Sequence, residues 1–138
     1  MPMNAALQIV LRWVLLLGGL VIIVDLGTHA IIQRVVGTDV LGELNNANLV
    51  LNVVLFSILG AVVARQTGMF YLGALAGLLA ALLDGVVVAT AASMAPPPGE
   101  QAPVDAYLLT NMLIGTIPAA VSALVSNLVE RLFGPRSR

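Results

Sequence analysis

The chain contains no cysteine and no lysine, and it carries little charge of either sign. Without cysteine there can be no disulfide, no thiolate-bound zinc and no iron–sulfur cluster. Six basic residues, all arginine, stand against seven acidic ones and leave a net charge of −1. That balance offers nothing to a phosphate backbone, so no nucleic-acid partner is expected. Charged residues fill 9% of the 138 positions, where soluble domains average about 25%. Catalytic signatures are missing as well. Gly18 and Gly19 lie in no GxxxxGK or GxGxxG frame, so they make no phosphate loop. The single histidine, His29, cannot build a His-rich metal site, and no Ser/His/Asp spacing stands out. No cofactor or metal is expected, and enzyme chemistry ranks third among the readings, resting only on the acid–base capacity of two aspartates and one histidine.

What fills the chain instead is apolar sequence, 59% of it. A bilayer span needs about 20 mostly apolar residues. Four stretches meet that length, at about 11–32, 44–64, 69–94 and 106–128. The expected fold is therefore all-α: one membrane domain over 1–138, built as a four-helix bundle. The breaks carry turn chemistry. Gly37, Thr38, Asp39 and Gly42 are expected to end the first span, and Gln66, Thr67 and Gly68 to make a tight turn after the second. Pro96, Pro97, Pro98, Gly99 and Pro103 form the longest connection, which reads as a stiff spacer. Asp105 is placed to cap the fourth helix. The first stretch is longer than a signal-peptide core and lacks a clear cleavage pattern, so it reads as a retained helix.

Arginine placement predicts orientation. Arg12, Arg65, Arg131, Arg136 and Arg138 flank one side, and only Arg34 flanks the other. The positive-inside rule then puts both termini in the cytoplasm. An all-arginine basic set fits a GC-rich genome, and the expected location is the inner membrane of a bacterium or archaeon. Trp13 and Tyr107 fall near the expected interfaces, where aromatic belts lie.

Four polar residues interrupt the apolar spans in a pattern. Asp25 and Asp84 are 59 residues apart, and so are Asn52 and Asn111. At the same offset Leu16 falls on Leu75, Gly18 on Gly77, Leu49 on Leu108, Ile58 on Ile117 and Ala64 on Ala123. Apolar matches come easily in biased sequence, but polar ones do not. The pattern predicts two tandem helical hairpins, over about 11–65 and 70–128, in a parallel duplicated arrangement. From the helical rise, Asp25 lies about 18 Å beyond Trp13 and Asp84 about 21 Å beyond Phe70. All four residues then fall in the outer half of a core about 30 Å thick.

An ionised carboxylate at the centre of a bilayer costs about 3 kcal/mol on insertion scales. Two of them at matched positions predict a use. Asp25 and His29 share a helix face, which Gln33 continues, and this suits a proton relay or a cation site. An amide carbonyl can also ligate a cation, which would make Asn52 and Asn111 supporting ligands. Asn45 and Asn48 continue the stripe of Asn52. The plainer role for such amides is interhelical bonding. Gly73, Gly77 and Ala81 lie on the face of Asp84 at a spacing that permits close packing. Asn111, Gly115, Ala119, Ser122 and Ser126 make a second small-residue stripe.

Two functions follow as expectations. One is a transporter or channel for protons, cations or a small polar solute that uses an Asp/Asn layer, working as a homo-oligomer because four helices enclose little space. The other is a non-transporting accessory or scaffold subunit of a larger membrane complex.

Overall fold

The computed structural model describes residues 2–32, 34, 38–94 and 104–133, with side-chain surroundings for all of these except 38–41 and 104–107. Four helices account for nearly all of them: α1 (Met3–Ile32), α2 (Thr38–Thr67), α3 (Phe70–Met94) and α4 (Val104–Phe133). No strand occurs among the described residues. Each helix contains a stretch long and apolar enough to cross a membrane. Helices suit this composition because every backbone group is satisfied within its own segment, so apolar side chains can face outward all round.

Three helices outrun the apolar stretches that announce them. α1 starts at Met3 rather than near residue 11, with the Pro2 carbonyl accepting from Ala5 and Ala6 at 3.0 and 3.3 Å. Its first turns bury Ala6 and Val10 and expose Met3, Leu7 and Leu11. α2 begins at Thr38, so Thr38, Asp39 and Gly42 lie inside a helix rather than ending one. Polar residues continue a helix readily once an apolar segment has nucleated it. Gly37, Gln33, the proline connection, Arg136 and Arg138 lie outside the described residues, and the side chains of Asp105 and Tyr107 lie outside the described surroundings.

The turn between α2 and α3 is as tight as its residues suggest. Gly68 takes φ +71°, the left-handed region that glycine enters without penalty. Its N–H bonds the Ala64 carbonyl at 2.8 Å and closes the end of α2. Thr67 Oγ1 donates to the Val63 carbonyl at 2.7 Å and accepts from Met69 N at 3.3 Å.

α1 contains one π turn, over Val14–Gly18. Its buried stripe runs Ala6, Val10, Val14, Gly18, Val21, Asp25. Steps of four overshoot a regular α-helical turn by about 40° each. The wider π turn absorbs part of that drift, and Asp25 stays on the buried face.

The core holds Val10, Val14 and Val21 of α1, Leu55, Phe56, Leu59 and Val63 of α2, and Ala76, Ala80 and Ala81 of α3. Below the polar layer, α2, α3 and α4 approach backbone to backbone. A Cβ built on Gly60 would fall on the Ala119 backbone, and one on Gly77 would fall on the Ala119 side chain. A Cβ on Gly115 would meet Ala81, and one on Gly73 would come within 2.5 Å of the Gly60 carbonyl oxygen. Small-residue contacts of this kind are how helices associate where no hydrophobic driving force separates them from lipid. α1 packs on α2 and α3 but makes no close backbone approach to α4, whereas α2 does approach α3. A strict two-fold exchange of the hairpins would make those two approaches equal.

Candidate functional site

Asp25 and Asp84 are both buried, at 7% and 2% exposure, inside a bundle whose outer surface is apolar. Each is held by an asparagine 27 residues further along the chain. Asn52 Nδ2 donates to Asp25 Oδ1 at 2.8 Å, which ties α2 to α1. Asn111 Nδ2 donates to Asp84 Oδ2 at 3.0 Å, which ties α4 to α3. Bonds from amide N–H to a carboxyl oxygen are charge-assisted when the acid is ionised.

Asp25 has a second donor. Asn48 Nδ2 also reaches Oδ1, at 2.8 Å. Asn48 is in turn oriented by Thr28, whose hydroxyl donates to Asn48 Oδ1 at 3.2 Å. Asn48 lies one turn before Asn52 on α2, and Thr28 lies about one turn after Asp25 on α1, so helical spacing alone delivers all four groups to one place. Their counterparts 59 residues on are Tyr107 and Val87, neither of which carries an amide.

The two acids also meet each other. Their carboxyl groups lie within hydrogen-bonding range. The approach of α1 to α3 that permits this runs through Gly18, where an added Cβ would sit 3.1 Å from that of Ala80. Two enclosed oxygens of the layer, Asp84 Oδ1 and Asn52 Oδ1, receive no hydrogen bond from the described residues. Two acids in contact and two acceptors without a donor make the layer rich in oxygen and poor in hydrogen.

Of the five residues singled out by sequence, Asp25, Asp84, Asn52 and Asn111 come together in one layer of paired side chains. His29 is half-buried, one turn beyond Asp25 on α1. Thr28 had no signal of its own, since a threonine inside a helix ordinarily bonds its own backbone. Asn45, on the same stripe as Asn48, is exposed.

Three further polar contacts tie the opposite end. Trp13 Nε1 donates to Gln66 Oε1 at 2.9 Å. Asn127 Nδ2 donates to the Gly68 carbonyl at 3.1 Å, and Arg65 Nε to Glu130 Oε1 at 3.1 Å. On the second small-residue stripe, Ser122 Oγ donates to the Ser57 carbonyl at 2.7 Å. Pro118 lies inside α4 and withholds the N–H that would bond the Ile114 carbonyl. Among the described residues, no group of three or more His, Cys, Asp or Glu is placed to hold a metal ion. An apolar groove of about 340 Å³ runs between α1 and α3, lined by Leu11, Val14, Leu79, Leu82, Leu83 and Val86.

Compared with protein-family models, curated proteins and solved structures, the chain matches none.

Proposed function

We propose that this is a small multi-pass membrane protein that transports or conducts a proton, a cation or a small polar solute through its Asp/Asn layer. Asp25 and Asp84 are the charge-bearing groups. Asn52, Asn111 and Asn48 hold them, and His29 lies one turn away on the side expected to face outward. The supporting observation is the meeting of two buried acids from α1 and α3, each bonded by an amide from the next helix. Intramembrane carboxylates are rare and usually mark ion or proton pathways. In this reading the four helices are inserted as two tandem hairpins, with both termini cytoplasmic and the acidic layer in the outer half of the bilayer. The matched bonds Asp25–Asn52 and Asp84–Asn111 support the duplication. Four helices enclose little room for a path, so the working unit is a homo-oligomer, most simply a dimer.

The test is ion flux in liposomes containing the purified chain. Native protein is expected to move protons or monovalent cations down an imposed gradient. Asp25→Asn and Asp84→Asn, singly or together, are expected to lower the rate by tenfold or more, since each removes a titratable carboxyl from the path. Flux that is unchanged in the double variant rules the mechanism out.

A second reading, an accessory or scaffold subunit, is favoured by the apolar groove, which lies on the α1/α3 flank and offers a site for an apolar partner. It predicts a stable heteromeric complex after extraction in mild detergent and no flux from the isolated chain.

A further inference from the structure

We propose that the acidic pair holds a single proton and that Asp84 carries it, facing an ionised Asp25. The inference deepens the transport reading and rests on it for its use, because it makes the proton the species the layer handles.

The two acids differ in their supply of donors. Asp25 Oδ1 accepts two amide N–H bonds, from Asn48 and Asn52, and Thr28 fixes the orientation of Asn48. These are the bonds that stabilise a carboxylate. Among the described residues Asp84 accepts one, from Asn111 on Oδ2, and its other oxygen is enclosed with no donor from them. A carboxylate can only accept hydrogen bonds, whereas a carboxylic acid has one O–H to give. Two carboxylates in contact therefore repel, and one proton between them turns the contact into a bond. Placing that proton on Asp84 settles two problems together. The acid with fewer donors gains an O–H of its own, and the neighbouring carboxyl of Asp25 becomes an acceptor for it. Placing it on Asp25 instead would spend the amide donors on a neutral acid and leave the less supported, more deeply buried group charged.

The groups around the pair do not alter this count. α1 contributes Asp25 and, one turn on, His29, α3 contributes Asp84, and α2 and α4 contribute the amides Asn48, Asn52 and Asn111. The difference in amide donors is readable in sequence once it is known. At the 59-residue offset, Asn48 and Thr28 are answered by Tyr107 and Val87.

Infrared spectroscopy of the full chain in lipid at neutral pH tests the proposal. A protonated carboxylic acid has a carbonyl stretch well separated from that of a carboxylate. The native protein is expected to show one such band, of intensity equal to one group per chain, and growth on carbon-13-labelled aspartate should shift it. This measurement needs no variant, and a band of zero or two groups overturns the proposal. Asp84→Asn is expected to abolish the band and Asp25→Asn to keep it. A band surviving in Asp84→Asn, or lost in Asp25→Asn, overturns the assignment to Asp84. The spectrum is read without any transport, so the two readings fail separately. The expected bands without flux count against transport alone, and flux with a different band pattern counts against the proton placement alone.

Discussion

At the scale of the residue, the layer shows how a polar group is kept inside an apolar bundle. A single interhelical hydrogen bond between membrane helices contributes only about 0.6–2 kcal/mol. Asp25 has two amide donors on one oxygen, so each covers for the loss of the other. Asn48→Leu and Asn52→Leu are each expected to lower stability by about 1 kcal/mol. The double variant leaves Asp25 without either amide and should cost more than the two single losses added together, because neighbours sharing a partner couple. Reversible unfolding in mixed micelles measures this, and simple additivity would show that the two amides act independently. Asp25, Asp84, Asn52 and Asn111 were legible in the sequence because each breaks an apolar run at a matched position. The amide partners were legible as candidates, since Asn52 and Asn111 share the depth of the acids. The role of Thr28 was not, because its hydroxyl matters only through Asn48 on another helix. The orphaned oxygens of Asp84 and Asn52 were not either, since a missing donor is a property of the packed layer.

At the scale of the element, glycine has two opposite roles in this chain, and helical sequence alone does not separate them. Gly60 and Gly77 sit where α2, α3 and α4 touch, and a side chain on either would collide with α4. Gly19 and Gly27 lie on α1 with nothing within 4 Å of an added Cβ. Gly60→Val and Gly77→Val are expected to destabilise by about 3 kcal/mol or more, at or beyond the usual cost of overpacking, because the obstacle includes Ala119 rather than a flexible side-chain tip. Gly19→Ala and Gly27→Ala are expected to be neutral or to stabilise by about 0.5–1 kcal/mol, from helix propensity alone. Thermal unfolding of the four variants in one detergent checks both halves, and equal losses in all four would refute the assignment of contacts. The small-residue stripes on α3 and α4 were readable from spacing. Their partner was not, since α3 could have offered Gly73 and Gly77 to any neighbour. Helix ends were the least readable feature. Hydropathy marks the part of a helix apolar enough for lipid, while the described helices already reach Met3, Thr38 and Phe133.

At the scale of the whole molecule, charge is sorted between the two ends of the bundle. Arg12 of α1, Arg65 of α2 and Arg131 of α4 lie toward the end that holds the Gly68 turn, and all three are exposed. The Arg65–Glu130 pair there is exposed on both sides, so it adds at most about 1 kcal/mol. Its end of the molecule remains basic. The opposite end holds Arg34 and the exposed Glu43. If insertion obeys this asymmetry, the Gly68 turn faces the cytoplasm, and a proton entering the layer from outside crosses less than half of the bilayer before reaching Asp25. The absence of native cysteine makes the orientation directly measurable. Glu43→Cys and Phe133→Cys place single thiols at exposed sites on opposite ends of α2 and α4. A membrane-impermeant maleimide applied to intact cells is expected to label Glu43→Cys and to label Phe133→Cys only after the cells are opened. The reverse pattern would put the acidic layer on the cytoplasmic side and invert the direction of any path. Equal labelling of both in intact cells would show that the arginine bias does not fix a single orientation.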